Sequence, residues 1–202
     1  MKIFIGIDFD NTIVNYNNVF YKYALMEGLI TGQIHKTKKE IRDYIRLFKG
    51  DEAWTALQGQ VYSNHMQEAE PAEGVENFFC KCKEHSVKFL IISHKTLYPV
   101  IGPHVNLHHV AMNWLADRNF FDRYGLKEAE VIFKETREEK LKAIDTLNCT
   151  HFIDDMLEVL THNKFPLNTQ KILYSSEEML HTYSDIKQFG RWKEIEAYFF
   201  KQ

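Results

Sequence analysis

The chain opens on a nearly unbroken apolar run, Ile3, Phe4, Ile5, Gly6 and Ile7, closed by Asp8. A run of this length without apolar–polar alternation predicts a strand over 2–8 that is covered on both faces, as in a parallel sheet. From Tyr16 to about Gln67 the spacing changes to that of helices. Val19, Phe20, Tyr23 and Ala24 share one face, Ile41, Tyr44, Ile45 and Phe48 a second, and Trp54, Leu57 and Val61 a third, with Asp51 as the expected N-cap. Gly28, Gly32 and Gly50 punctuate these segments. Beyond Pro71 and Gly74 strands and helices alternate. A helix is expected over 72–84, and an apolar strand over 87–92 that ends at Ser93. A loop containing Pro99 and Pro103 follows, then a helix over about 105–116. A short strand over 130–133, an amphipathic helix over 137–147 and a strand over 151–153 lead to Asp154 and Asp155. A last strand over 171–174 and a closing helix over 191–200 complete the pattern.

Strands that alternate with helices imply a parallel sheet with helices on both faces. The expected fold is therefore α/β: a Rossmann-like, three-layer, parallel-sheet core with a small helical domain inserted after the first strand. Residues 1–14 and 72–202 form the core, and 15–71 form the insertion.

The chain has 202 residues, 45% of them apolar, which is enough for such a core and a modest insertion. Its formal charge of -3 provides no basic field for nucleic acid or an anionic membrane. Cys80, Cys82 and Cys149 make an odd count without zinc-like pairing, which fits buried thiols in a reducing compartment. No apolar stretch approaches a membrane span, and Asp8 interrupts the first run too soon for a signal peptide. A cytoplasmic protein is expected, with neither a membrane nor a nucleic acid as partner. There is no Gly-Lys-Ser/Thr phosphate loop and no Gly-x-Gly-x-x-Gly fingerprint, so nucleotide cofactors are not indicated.

Three apolar strands end in polar groups: Asp8 with Asp10, Ser93, and Asp154 with Asp155. In open parallel sheets ligands bind outside the carboxyl ends of the strands, so these residues should meet at one edge. The types suit phosphoryl transfer. A carboxylate is a competent nucleophile toward phosphorus when a metal neutralises the phosphoryl oxygens. A second carboxyl can protonate the leaving oxygen and then deprotonate the hydrolytic water. Magnesium wants hard oxygen ligands, which Asp8, Asp154, a backbone carbonyl and waters can give. A hydroxyl and an ammonium group would hold the remaining phosphate oxygens, and Ser93 and Lys140 are the candidates.

In these residues the chain resembles the haloacid dehalogenase superfamily of aspartate-nucleophile hydrolases. Asp8-Phe-Asp10-Asn-Thr12 is similar to its first motif, Ser93 to its second, Lys140 to its third, and Phe152-Ile153-Asp154-Asp155 to its fourth. The resemblance covers the strands from residue 2 to about 175. It implies that Asp8 is the nucleophile and Asp10 the general acid/base, with the Asp10 backbone carbonyl on the metal. Thr12 and Ser93 would hold phosphate or shape the loop. Asp154 would bind magnesium directly, and Asp155 directly or through water. The second aspartate of the first motif marks phosphatase-like members and argues against halide displacement. The helical block stands where the family inserts its C1 cap, and too little chain precedes Lys140 for the other common cap position. The implied substrate is a small phosphorylated metabolite, a nucleotide or a sugar phosphate, and the implied hinges lie near 14–18 and 70–74.

Other residues admit several readings. Lys134, Lys140 and Lys142 all precede Asp154; Lys140 is preferred because it stands at the start of its helix. His94 and Lys95 follow Ser93, and either could contact substrate at the rim. His104, His108 and His109 have no obvious Cys or carboxylate partner for zinc. The run Lys36, Lys38, Lys39, Arg42, Arg46, Lys49 is interrupted by Glu40 and Asp43 and reads as an ordinary amphipathic helix. Two further functions fit an aspartate-rich strand edge: a phospho-acceptor signalling domain, and a catalytically attenuated binding protein of the same fold.

Overall fold

The structure is a computed structural model that describes residues 2–175 and 183–200. The chain divides into two compact units. One comprises Met1–Val14, Pro71–Lys95 and Arg118–Gln202; the other comprises Asn15–Glu70 and Thr96–Asp117. The strands are β1 (Phe4–Ile7), β2 (Val14–Asn15), β3 (Glu70–Pro71), β4 (Lys88–His94), β5 (Val131–Lys134), β6 (His151–Asp154), β7 (Gln170–Tyr174) and β8 (Ile186–Phe189). The helices are α1 (Asn17–Met26), α2 (Lys38–Lys49), α3 (Asp51–Asn64), α4 (Val75–Glu84), α5 (Leu107–Asp117), α6 (Phe120–Tyr124), α7 (Arg137–Thr146), α8 (Leu157–Leu160) and α9 (Trp192–Phe200).

The first unit is built on a six-stranded sheet of order β5-β4-β1-β6-β7-β8, and its paired strands run parallel. Side chains alternate across it. Leu90, Ile92, Phe152 and Leu173 pack on one face with Leu141 and Ile144 of α7 and with Val159 and Leu160 of α8. On the other face Phe89 stacks on Phe79 of α4 at 4.7 Å, Phe79 meets Phe120 of α6, and Phe78 meets Trp192 of α9 at 5.0 Å. Burying one such side chain contributes roughly 1.5–3 kcal/mol relative to leaving it exposed. Two fully stocked faces can therefore offset the cost of gathering carboxylates at one edge.

β8 is an addition to the expected strands. Ile186–Phe189 pairs in parallel with β7. Its sequence, Ile-Lys-Gln-Phe, lacks the continuous apolar run of the inner strands because it lies at the sheet's edge. The helix expected from 72 begins at Val75, after Gly74 at φ 87°, a left-handed turn that glycine adopts without penalty.

In the second unit α1, α2, α3 and α5 pack together. Phe20 stacks on Trp54 at 4.9 Å, and Tyr16 and Tyr62 meet edge to face at 5.0 Å. Ile41 and Ile45 are buried as their spacing predicts, whereas Phe48 is exposed and leans on Tyr44. Asp51 is not an N-cap: it is the first residue of α3, and Gly50 at φ 93° precedes it. Thr37 caps α2 through the Glu40 amide. Residues 96–117, assigned by their sequence to the core, cluster with this unit instead. Two contacts show why. A Cβ placed on Gly59 of α3 would stand 1.8 Å from the Ile101 carbonyl oxygen, so only glycine permits that approach. The Trp114 indole N–H of α5 donates to the Ala69 carbonyl at 2.8 Å.

Among the described residues no helix is long and apolar enough to cross a membrane.

Candidate active site

The site lies wholly within the first unit, at the carboxyl ends of β1, β4 and β6. Ile7 is in register with Ile91 and with Ile153. One residue further, the Asp8 amide donates to the Ile153 carbonyl at 2.9 Å, which sets Asp8 beside Asp154. β1 lies between β4 and β6, where the strand order reverses, the position at which open α/β sheets bind ligands.

After Asp8 the chain turns sharply. Asn11 takes φ 62°, a left-handed conformation that asparagine tolerates, and the Ile13 and Val14 amides both donate to the Phe9 carbonyl. The Trp192 indole donates to the Thr12 carbonyl at 3.0 Å, which ties the turn to α9. Thr12 is buried, and its hydroxyl lies 3.5 Å from both Asp8 Oδ2 and Asp155 Oδ1.

Ser93 and Lys95 are two residues apart on one strand direction and so point the same way. Ser93 Oγ donates to Asp8 Oδ1 at 3.0 Å. Lys95 Nζ donates to both oxygens of Asp10, at 3.0 and 2.8 Å. His94, between them, is exposed, and its Nε2 lies 3.0 Å from the Glu135 carbonyl oxygen. Of the two candidates after Ser93, the geometry therefore brings Lys95 into the acidic cluster and sets His94 apart from it.

Lys140 stands in the first turn of α7, which Thr136 and Glu139 open with a reciprocal capping box. Its side chain is 2% exposed, and its ammonium donates to Asp8 Oδ1 at 2.5 Å and to Asp154 Oδ2 at 2.7 Å. Lys134 is half-buried in β5 and Lys142 is exposed. Burial would lower the Lys140 ammonium, but Asp154 and Asp8 together raise it above the ordinary lysine range. Burial pushes the Asp154 carboxyl up, Lys140 pulls it down and Asp8 pushes it up again, leaving it raised to about 6. The Met156 amide also donates to Asp154 Oδ1 at 2.9 Å.

Asp8, Asp154 and Asp155 each offer one oxygen, and these oxygens lie within 4.8 Å of one another. This is a hard, all-oxygen donor set of the kind magnesium takes. Its charge also fits. Asp10 is matched by Lys95, whereas Asp8 and Asp154 share Lys140. With both ionised, this pair keeps a net negative charge that a divalent cation would offset. The Asp10 side chain faces Lys95, so any share it takes in a metal site would come through its backbone carbonyl.

Lys95 is the residue that the motif pattern did not single out. The signal was present in the two-residue spacing from Ser93, which on a continuing strand puts both side chains on one face.

No family model matches the sequence, and no curated protein matches it. Solved structures do. A haloacid dehalogenase-like hydrolase from Streptococcus pneumoniae is 13% identical, with a TM-score of 0.64 over 98% of this chain and 99% of its own. A protein from Clostridium acetobutylicum described as a predicted phosphatase is 14% identical, with a TM-score of 0.59 over the whole of both chains. A haloacid dehalogenase-type hydrolase from Bacillus subtilis, solved with bound magnesium and described as revealing interdomain movement, is 11% identical. Its TM-score is 0.56, over 100% of this chain and 99% of that one. The chain has the fold of the haloacid dehalogenase-like hydrolases.

Proposed function

We propose that this protein is a magnesium-dependent phosphatase that hydrolyses a small phosphomonoester through an aspartyl-phosphate intermediate. The observation that supports it best is the setting of Asp8, which Lys140 and Ser93 hold by one oxygen while Asp154 and Asp155 bring theirs within 4.8 Å. With Oδ1 so occupied, Oδ2 is the oxygen presented for attack.

Magnesium held by Asp8, Asp154 and Asp155 would neutralise phosphoryl oxygens during the reaction. Asp8 attacks phosphorus as the ester P–O bond breaks, and Asp10 gives its proton to the departing alkoxide. Asp10 then takes a proton from water, whose oxygen attacks phosphorus and releases Asp8. Lys140 and Ser93 fix the nucleophile and place positive charge and a hydroxyl donor beside the transferring group. The helical unit is proposed as the cap that selects the substrate, with its hinges near 14–18 and 70–74. The chain passes between the units at two more points, Lys95–Thr96 and Asp117–Arg118, so any movement there would involve four segments.

The test is a panel of nucleotide and sugar phosphates assayed with magnesium and with chelator. Turnover should require the ion and should disappear in Asp8→Asn while the unfolding temperature stays near that of the parent. Magnesium-dependent turnover by Asp8→Asn would exclude Asp8 as the nucleophile. A phosphorylated chain stable for many minutes would point to signalling in place of hydrolysis.

A further inference from the structure

Lys95 has a place in the site that the four motifs leave unassigned. Its side chain is 2% exposed, its ammonium spans both oxygens of Asp10, and it lies 5.7 Å from the centre of the Phe9 ring. Its backbone is fixed as well, because its amide donates to the Lys134 carbonyl at 2.9 Å beyond the last residue of β4. Asp10 stands on the turn after β1, next to Asn11 at φ 62°, with an isolated bridge to Val14. A short carboxyl on a turn has several rotamers open to it, and a buried ammonium on a strand end restricts them.

We infer that Lys95 is a positioning residue that aims the Asp10 carboxyl at the leaving oxygen, an inference that rests on the phosphatase proposal above. Two contacts to one carboxyl group are what this task requires. While one oxygen carries the proton to the alkoxide, the other stays on the ammonium, so the group keeps its aim as the P–O bond breaks and the Asp8–phosphorus bond forms. In the second step the same oxygen collects a proton from water, and the carboxyl has not swung away between the two. Misplacing a catalytic group by about an ångström can cost on the order of a hundredfold in rate.

The role predicts a dependence on the leaving group that simple loss of structure would not produce. An alkyl alcohol needs a proton as it departs, whereas nitrophenolate leaves as a stable anion. The experiment compares kcat/KM, which reports the phosphorylation step, for an alkyl phosphate and for p-nitrophenyl phosphate in the parent chain, Lys95→Met and Lys95→Arg, with magnesium present. Each variant's ratio between the two esters is independent of how much of it is folded. Lys95→Met should lose on the order of 10² on the alkyl ester, the lower range for general acid catalysis, and only a few-fold on the aryl ester. Lys95→Arg, whose guanidinium can also reach both oxygens, should close much of that gap. Equal losses on the two esters in Lys95→Met would overturn the positioning role alone. A parent chain inert toward both esters and toward every nucleotide and sugar phosphate of the panel would overturn the phosphatase proposal and this inference with it.

Discussion

Replacing Lys140 by methionine keeps most of the side chain's bulk and removes its charge. The ammonium lies 2.7 Å from Asp154 Oδ2 and contacts Asp8 as well, and the exposures of the three side chains are 2%, 0% and 7%. At an effective dielectric near 20, charges 2.7 Å apart attract by about 6 kcal/mol before desolvation is counted. Breaking one such buried pair by removing a partner costs about 3–5 kcal/mol. The two carboxylates share one ammonium, so their losses do not simply add. A total of about 3–5 kcal/mol is expected, which for a chain of this length is a fall of roughly 6–20 °C in Tm. Calorimetry at pH 8 in EDTA is the assay, because Asp154, raised to about 6, is then ionised in the parent. Adding magnesium should raise Tm in both proteins, and at a hundred times Kd it should stabilise the parent by about 2.7 kcal/mol. The gain should be larger in Lys140→Met, where the ion meets carboxylates without their internal cation. A metal-free Tm within about 2 °C of the parent would show that the ion pairs only balance their own desolvation, and the electrostatic account of the site would have to be abandoned.

Two further outcomes follow from packing. Gly59→Ala should destabilise the chain by about 1–3 kcal/mol, toward the upper end because the added methyl meets a backbone carbonyl; a denaturation midpoint equal to the parent's would mean that the Ile101 segment moves aside without cost. Iodoacetamide at pH 8 should label Cys80, which is half-buried, before the others: burial pushes the Cys82 thiol up to about 12 and Cys149 to about 11. Mass spectrometry of the native protein showing Cys82 modified as fast as Cys80 would contradict the packing of α4.

The inner strands were legible because burial on both faces leaves a continuous apolar run, and because Asp8, Ser93 and Asp154 end three of those runs. Lys140 could be placed because the capping sequence Thr136–Glu139 fixes where α7 starts. β8 escaped notice since an edge strand needs no such run: Lys187 and Gln188 give it the look of a loop. Lys95 was read as one of two rim residues, because the strand signal fades at Ser93 while the pairing with β5 continues to His94. The membership of 96–117 could not be read from its own composition. Leu107, Ala111, Trp114 and Leu115 advertise a buried face but not its partner. The partner's cue lay elsewhere, in a glycine set among good helix formers in α3, which marks a close backbone approach.

The attachment of 96–117 to the helical unit bears on how the protein can be dissected. An engineer who excised 15–70 and bridged the ends, aiming at a minimal hydrolase, would remove the Ala69 carbonyl that accepts from Trp114 and the α3 backbone against which Ile101 lies. The remnant would keep a helix bearing an indole and two leucines but lose α3 and residues 66–68, against which that helix packs, a recipe for aggregation. A viable trimming would have to take both segments together, joining Val14 to Pro71 and Lys95 to Arg118.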